Sequence, residues 1–306
     1  QAREAYEDAR WYASAEEVLA DREITAVAIE GRNDESLAMA RSAVDAGKHL
    51  WFDKPAGEDW VGFRALMEQA RGRGLHVQIG YMFRYQPGFR LVARAARSGA
   101  LGEIFSIRAH MSTGITVESR VIQSVHQGGI FYDLAGHMLD QIVWLLGRPT
   151  RAHLVSRNDA TPELSSYRDN TVGVFEFERA LAIVDIAAME AGPLARRFEV
   201  YGTRGSAITE PFDPGRVVRL VLREPWTEYP AGEHLVALPT VVRQQGVRIG
   251  YGMRVCPEVR QDVRLGLVER MWVLHPHATH AHLGLQFVQA AQVCLQRGQR
   301  FGQGAH

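Results

Sequence analysis

The sequence has little cysteine and no excess charge. Cys256 and Cys294 are its only cysteines, and they lie far apart without a pairing pattern. This scarcity argues against a disulfide scaffold and predicts a reducing, cytoplasmic compartment. Lysine plus arginine equals aspartate plus glutamate, at 35 each, so no net field attracts nucleic acid or an anionic membrane. The expected ligand is therefore a small molecule that is neutral or weakly charged.

Three further patterns are missing. No apolar run reaches the length of a membrane span. Residues 1–6 contain neither a starting methionine nor the apolar core of a signal peptide. The sequence also lacks Gly-x-Gly-x-x-Gly, the turn whose glycines let a dinucleotide's pyrophosphate approach a helix start. If the chain binds a dinucleotide, we expect the segment that carries this turn to precede residue 1.

The first part of the sequence alternates between strand and helix patterns. Residues 24–29 form a nearly continuous apolar run, typical of a parallel strand that is covered on both faces. Further strand patterns occur at residues 49–52 and 75–79, and helical spacing fills the gaps between the strands. Ser14 and Glu17 have the spacing of a capping box for a short helix that follows Ser14 and runs through Leu19. Strands joined by helices predict right-handed crossovers and a doubly wound parallel sheet.

The pattern of predicted helices and strands changes after residue 84. Pro87 suits the first position of a helix, and a polar loop through Gln127 leads into a helix predicted to end at residue 146. One strand pattern precedes this helix, at residues 104–111. Four more come after it, at residues 170–177, 181–187, 198–201 and 217–222. We therefore predict an α/β fold, with an incomplete Rossmann-like dinucleotide-binding domain over residues 1–84. An α+β domain for substrate binding and oligomerisation, with a largely antiparallel open-faced sheet, would fill residues 85–306.

A lysine follows the second predicted strand. Gly47 suits the left-handed residue that closes a helix, residues 49–52 form the strand, and Asp53, Lys54 and Pro55 come next. Pro55 cannot donate to a sheet, so Lys54 lies at the strand's carboxyl end. Ligands bind at this edge of open α/β sheets, which makes Lys54 a candidate functional residue. A surface lysine that happens to follow a strand is the alternative.

A carboxylate and an imidazole share one face of the helix predicted before residue 146. Asp133 and His137 are four residues apart, and Asp140 continues the same stripe. The carboxylate can fix the imidazole's tautomer and raise its basicity, so that the ring takes a proton from a substrate hydroxyl. An ordinary pair on a solvated helix face is the alternative. A metal site using Asp133, His137 and His126 is a third interpretation, without further ligand support.

Two other groups of residues invite interpretation. His275, His277, His280 and His282 have a spacing that matches no metal motif, so we interpret them as part of a polar loop and predict no bound metal. Arg84 follows the third predicted strand and so lies at the same sheet edge as Lys54. It either touches cofactor or substrate, or pairs with a carboxylate at the domain junction.

Taken together, these motifs resemble the Gfo/Idh/MocA oxidoreductases. Residues 46–55 are similar to the family's Ala-Gly-Lys-His, strand, Glu-Lys-Pro segment, with Asp53 in place of glutamate. Residues 128–140 are similar to its Gly-Gly and Asp-x-Gly-x-His-x-x-Asp pattern, although the glycine falls at Gly136. Residues 169–171 and 201–205 are like parts of the family's second domain. The resemblance covers nearly the whole chain.

The resemblance implies roles for individual residues. Lys54 would lie beside the nicotinamide and the substrate, His137 would take the hydroxyl proton, and Asp133 would support it. Asn33 matches the asparagine of the family's Thr-Pro-Asn loop at the cofactor. The residues predicted to contact the cofactor, NAD or NADP, are Asn33, Asp53, Lys54, Pro55 and Arg84. Those predicted to contact the substrate are Lys54, His126, Asp133 and His137.

The sequence also departs from the family pattern. Gly31 and Arg32 replace threonine and proline, and Ser36 stands where the family usually has histidine. The glycine-rich first turn is missing with everything before it, and the carboxyl end is short, so we expect a chain truncated at both ends. Because the first strand of such a sheet is central, we expect residues 24–29 to have unpaired backbone groups and an exposed apolar face. Poor solubility and weak dinucleotide binding would follow.

The predicted function is an NAD(P)-dependent dehydrogenase that acts on the CH–OH group of a sugar, cyclitol or related polyol. A homo-dimer or homo-tetramer is expected through the open sheet face, with no nucleic-acid or membrane partner. Two alternatives stay open. One is an NAD-dependent glycoside hydrolase of the same fold, which shows no net redox change, and the other is a dinucleotide-binding sensor or repressor without turnover. The loops at residues 113–127 and 225–280, which would select the substrate, match no pattern.

Overall fold

The computed structural model describes residues 10–31, 33–125, 127–192 and 194–239, and the backbone of Met271–Leu274. The chain divides into two compact units, one made of residues 1–80 with 245–306 and the other of residues 81–244. The predicted boundary after residue 84 lies close to this division. The helix tail predicted over residues 1–10 lies almost entirely outside the described residues.

A four-stranded parallel sheet organises the first unit. Its order is β12-β1-β2-β3, and its strands are β1 (Ala26–Ile29), β2 (His49–Phe52), β3 (Val77–Ile79) and β12 (Met271–Leu274). The helices are α1 (Ala15–Ala20), α2 (Asn33–Asp45) and α3 (Trp60–Gly72). Every residue of β1 is buried, as expected for a parallel strand that is covered on both faces. The predicted parallel strand–helix alternation is confirmed.

The side of β1 that faces away from β2 is paired with β12. Met271–Leu274 runs parallel to Ala26–Ile29, and no side chain of β1 is more than 2% exposed. The prediction of unpaired backbone groups and an exposed apolar face on this strand is therefore wrong. A short apolar run from the late part of the sequence forms the neighbouring strand. It comes from the range 225–280, where no pattern was recognised, and from the range we assigned to the second domain.

An eight-stranded sheet organises the second unit, in the order β11-β10-β9-β8-β4-β7-β6-β5. All neighbouring strands are antiparallel except β4 and β7, which are parallel. The strands are β4 (Ile104–His110), β5 (Arg151–Arg157), β6 (Asn170–Glu176), β7 (Leu181–Ala187), β8 (Arg197–Gly202), β9 (Gly205–Thr209), β10 (Val217–Leu222) and β11 (Gly232–Ala237). The predicted largely antiparallel sheet is confirmed, and the parallel β4–β7 pair was not predicted.

Helices cover one face of this sheet. They are α4 (Pro87–Arg97), α5 (Val117–Gln123) and α6 (Gly129–Leu146), preceded by a 3-10 turn at Met82–Tyr85. Inward strand positions such as Ile107 and Val184 are fully buried. On the other face, Val172 and Leu181 are exposed. The sheet is therefore open on one side. Among the described residues, no helix combines the length and apolarity that crossing a membrane requires.

Two elements of the second unit carry no clear pattern in the sequence. Helix α5 lies within the segment that we predicted to be a polar loop. The sequence did not predict this helix, because its apolar residues Val121 and Ile122 are exposed and leave no buried stripe. Strand β5 is exposed at every position and so has no buried face. Its sequence also breaks the alternation of polar and apolar residues at Leu154 and Val155. Both elements depend on contacts with distant parts of the chain.

Candidate active site

The carboxyl edge of the parallel sheet carries the first group of candidate residues. Ile29 and Phe52 are register partners at the ends of β1 and β2, so Glu30 and Asp53 follow on neighbouring strands. The backbone N–H of Asp53 donates to the carbonyl of Ile29 at 3.0 Å, which extends the pairing to this point. Lys54 comes next, half-buried, with a cis peptide bond to Pro55. The structure thus places Asp53 and Lys54 at the predicted edge.

Gly80 follows β3 and lies at the same carboxyl edge of the sheet. Its backbone N–H donates to the carbonyl of Phe52 at 2.9 Å. A Cβ atom at this position would lie 2.7 Å from Trp51 Cζ2 and 2.8 Å from Asp53 Oδ1. Any side chain larger than hydrogen would therefore displace Asp53 or Trp51.

Glu30 is an edge residue that the sequence interpretation did not include. Burial, with the nearby charge of Asp53, raises the pKa of Glu30 to about 7. Near neutral pH a large fraction of this carboxyl group is protonated and can donate a hydrogen bond. The available signal was an acidic residue directly after an apolar strand, at the edge where Asp53 also lies.

Two glycines set the start of helix α6, which carries the second group of candidates. Gly128 is the N-cap with φ of +90°, and Gly129 follows with φ of +54°. A Cβ atom on Gly129 would lie 2.1 Å from the carbonyl oxygen of Arg168. The same carbonyl accepts the backbone N–H of Ile130 at 3.0 Å. The helix start therefore packs directly on the segment that leads into β6.

His137 lies in the core rather than on a solvated helix face. Its side chain is 5% exposed. The Phe83 ring meets it edge-on at 5.1 Å between centroids, and the Tyr81 ring does so at 6.2 Å. These edge-on contacts favour this orientation of the imidazole ring.

Asp133 lies one turn before His137 and accepts a hydrogen bond from helix α5. The donor is Gln123 Nε2, at 3.3 Å from Asp133 Oδ2. Gln123 Oε1 in turn accepts from the hydroxyl of Tyr167 at 2.6 Å. Burial raises the pKa of Tyr167, and the charge of Asp133 adds to the shift, so the hydroxyl stays protonated. Nothing in the sequence marks Gln123 or Tyr167, because both contacts join residues distant in the chain.

Arg84 pairs with Asp140, the third member of the helix stripe. Arg84 Nε and Nη2 each donate to one Asp140 oxygen at 2.7 Å, in a bidentate arrangement. The guanidinium also lies over the Trp144 ring, 5.2 Å from its centroid. The structure thus shows the carboxylate pairing that we considered for Arg84. A contact between Arg84 and a cofactor stays a prediction.

Some predicted site residues lie outside the part of the chain that the structure describes. The backbone of Asn33 begins α2, but its side chain is not described, and neither is His126. The histidines at positions 275, 277, 280 and 282 also lie outside the described residues. Within the described part of the chain, no group of three or more histidine, cysteine or acidic side chains is arranged to hold a metal ion.

Comparison with known families gives two adjacent matches. Residues 1–81 match the family described as "Oxidoreductase family, NAD-binding Rossmann fold". Residues 89–208 match the "GFO/IDH/MocA C-terminal domain". The two matches follow each other in the order that the sequence motifs indicated, and their junction lies near the division between the two units.

Individual relatives agree with these matches. The chain is 29% identical over 211 residues to the uncharacterized oxidoreductase YhhX of Escherichia coli, covering 66% of this chain and 58% of that protein. It is 27% identical over 202 residues to scyllo-inositol 2-dehydrogenase (NAD(+)) of Bacillus subtilis, covering 64% and 58%. The chain thus spans less than two thirds of the length of these relatives.

A solved structure shows the same fold. The WlbA dehydrogenase of Bordetella pertussis, determined in complex with NADH and UDP-GlcNAcA, superposes with a TM-score of 0.65. The identity is 19%, and the match covers 74% of this chain and 67% of that one.

Proposed function

Because the chain belongs to the Gfo/Idh/MocA family of oxidoreductases, we propose that it transfers a hydride between a polyol and NAD or NADP. The polyol would be a sugar, a cyclitol or a related compound. The NAD-binding family match over residues 1–81 supports the cofactor. Scyllo-inositol 2-dehydrogenase and the WlbA complex with a nucleotide sugar support the substrate class.

One observation carries the proposal. A buried imidazole, that of His137, lies one helical turn from a carboxylate that is itself held by a hydrogen bond. In oxidation of an alcohol, His137 would take the hydroxyl proton as general base, and Asp133 would stabilise the charged imidazolium. The aromatic contacts with Phe83 and Tyr81 would keep the ring aimed at the substrate.

Lys54 would act on the same hydroxyl from the carboxyl edge of the parallel sheet. Its ammonium group would orient the substrate oxygen and stabilise the negative charge that develops there. Asn33, Asp53, Pro55 and Arg84 are proposed to contact the cofactor, and His126 to contact the substrate. These assignments follow the family resemblance.

We propose that the edge residues contact the nicotinamide end of the dinucleotide. Glu30 offers a carboxyl group that can donate a hydrogen bond, and Lys54 offers an ammonium group. The described residues include no glycine-rich turn for the pyrophosphate. When bound, the nicotinamide ring would supply the hydride chemistry, while the protein aligns the substrate and moves the proton.

We also propose that the protein forms a homo-dimer or homo-tetramer through the open face of its eight-stranded sheet. Outward positions of this face carry exposed apolar side chains, including Val172, Leu181 and Val217. An antiparallel sheet that is packed on one side favours covering the other when its exposed positions are apolar. The cytoplasm stays the compartment that we propose.

The experiment is a screen of sugars and cyclitols with NAD and NADP, followed by the absorbance of reduced nicotinamide. His137→Ala should lower the rate of the active pair by about 100- to 10,000-fold. His153→Ala is the matched control, because His153 lies on the exposed strand β5, where its ring pairs with Glu176 of β6. This variant should keep the normal rate.

The outcomes separate the alternatives. Equal rates for His137→Ala and His153→Ala would remove His137 from the mechanism. Cleavage of a glycoside without accumulation of reduced cofactor would identify the hydrolase. Binding of dinucleotide without turnover of any compound would favour the sensor or repressor.

A further inference from the structure

We propose that Gln123 is a positioning residue for the Asp133 carboxylate, and that Tyr167 holds the Gln123 amide in its donating orientation. The inference rests on the proposed function, because it assumes that Asp133 supports His137. It adds two residues that lie outside the family motifs in this sequence.

The hydrogen bonds allow one orientation of the amide. With Gln123 Oε1 toward the Tyr167 hydroxyl, the amide NH2 group faces Asp133 and donates to it. Rotating the amide by half a turn would place Oε1 against the carboxylate, and two acceptors would then repel each other. The carboxylate, which can only accept, therefore excludes the flipped amide, and the Tyr167 hydroxyl reinforces the useful orientation by donating to Gln123 Oε1.

The environment keeps this selection in place. Tyr167 is 1% exposed, and burial raises the pKa of its hydroxyl, so the hydroxyl stays a donor across the working pH range. Asp133 and Gln123 are half-buried. Hydrogen bonds to a charged group are stronger in such surroundings than in open water.

A separate residue anchors helix α5, so Gln123 is not needed to hold the helix. Arg120 is 7% exposed and donates to the carbonyls of Ala160 at 3.1 Å and Ala188 at 3.2 Å. It also donates to the hydroxyl of Thr161. Loss of the Gln123 side chain should therefore change the orientation of the carboxylate more than the fold.

The first test is Gln123→Leu in the intact protein, with kcat and KM measured on the active substrate. Loss of one hydrogen bond to a charged group predicts about a 10-fold fall in kcat, with little change in KM for the cofactor. Gln69→Leu is the matched control, because Gln69 Nε2 donates to Asp45 Oδ1 at 2.6 Å between two helices of the first unit. It removes the same kind of pair and should leave kcat normal.

Gln123→Glu provides a readout that a structural role would not move. Its carboxylate repels Asp133 when ionised and donates to it when protonated. The ratio of variant to wild-type kcat should therefore rise as the pH falls. A constant ratio across the pH range would overturn the proposal.

A double-mutant cycle tests the role of Tyr167. Tyr167→Phe should lower kcat alone, but it should have no further effect in the Gln123→Leu background, because the hydroxyl acts through the amide. Additive effects of the two substitutions would contradict the relay, and so would equal kcat values for Gln123→Leu and Gln69→Leu.

The contact itself can be tested without turnover. In a nitrogen-labelled sample, the side-chain amide resonances of Gln123 should shift in Asp133→Asn and again in Tyr167→Phe. If the protein turns over no substrate but these shifts occur, the proposed function fails while the contact stands. If the resonances do not respond to either substitution, the inference fails whatever the enzyme does.

Discussion

Glu30 and Asp53 are two carboxyl groups that compete for ionisation at the end of the parallel sheet. They follow register partners on adjacent strands, and Glu30 is partly buried there. Burial disfavours its charge, and the charge of Asp53 disfavours it further, which raises the pKa of Glu30 to about 7. Folding therefore favours protonated Glu30, since the ordinary pKa of glutamate is about 4.5.

The pH dependence of stability follows from this shift. Between the unfolded and folded pKa values the native state binds more protons, so the contribution of Glu30 to stability falls as the pH rises from about 4.5 to about 7. Glu30→Gln removes this loss. Discounted for the solvated part of the side chain, the gain at about pH 8 should be about 1 to 2 kcal/mol. Chemical unfolding of both proteins at about pH 5 and about pH 8 measures it.

Glu68→Gln is the control for this prediction. Glu68 is exposed on helix α3 and pairs with Arg64 across one helical turn, so its removal should leave the pH profile unchanged. If Glu30→Gln gives the same pH profile as the control, Glu30 titrates normally in the folded protein.

The location of a site residue was predictable from the sequence where its position relative to a strand or helix determines that location. Asp53 and Lys54 follow a strand, and Asp133 and His137 share a helical stripe. The sequence did not predict roles for Glu30, Gln123 or Tyr167, because those roles depend on contacts with other residues of the fold. The Tyr167 to Gln123 bond joins residues 44 positions apart, and no local pattern reports such a contact.

At the scale of elements, the start of helix α6 depends on two successive glycines with positive φ. Non-glycine residues rarely adopt this conformation, because their Cβ crowds the following carbonyl. At Gly129 the steric limit is stricter still, since Arg168 occupies the space that a Cβ would need. The start of the helix therefore fixes how Asp133 and His137 are presented.

Gly129→Ala should destabilise the second unit by about 2 to 4 kcal/mol, because it adds backbone strain and a clash with the Arg168 backbone. Urea unfolding followed by circular dichroism measures the change. Gly136→Ala, in the same helix, is the control. Its Cβ would lie 3.3 Å from a carbon of the Tyr81 ring, and better helix propensity offsets that contact, so a change within about 1 kcal/mol is expected. Similar losses for both variants would contradict the role of the helix start.

Elements with a buried face or a local end signal were predictable. Pro87 begins α4 as expected, and Ser14 caps α1, accepting from the backbone N–H of Glu17 at 3.3 Å. Helix α5 and strand β5 were not predictable, because neither shows a buried stripe. Strand β12 pairs with a strand more than two hundred positions earlier in the chain, as the register of Ala26 with Met271 shows.

At the scale of the whole molecule, the two units carry histidines with opposite responses to pH. In the first unit, burial and the neighbouring His76 lower the pKa of His49, whose Nδ1 accepts the backbone N–H of His76 at 3.0 Å. In the second unit, the hydrogen bond to Asp185 raises the pKa of His110. Glu190 lies 3.1 Å from the other ring nitrogen, and Arg197 is the register partner on β8.

The signs of the two effects differ. His49 favours its neutral form in the native state, so its contribution is present above the unfolded pKa of about 6.5 and is lost as the pH falls below it. His110 favours its charged form, so its contribution is present below about 6.5 and is lost as the pH rises through the folded pKa. Acidification should therefore weaken the first unit through His49, against the opposite effect of Glu30 in the same unit, and strengthen the second unit through His110.

Hydrogen exchange read by mass spectrometry separates the units, because each peptide reports on its own unit. In the Glu30→Gln protein, which lacks the opposing carboxyl group, protection should fall in β1 and β2 and rise in β4 and β7 between about pH 8 and about pH 5.5, after correction for intrinsic exchange. His49→Gln should flatten the first response and leave the second, whereas His110→Gln should do the reverse. If either substitution flattens both responses, the units unfold together and the two histidines act on one equilibrium. If neither does, other groups set the pH dependence of both units.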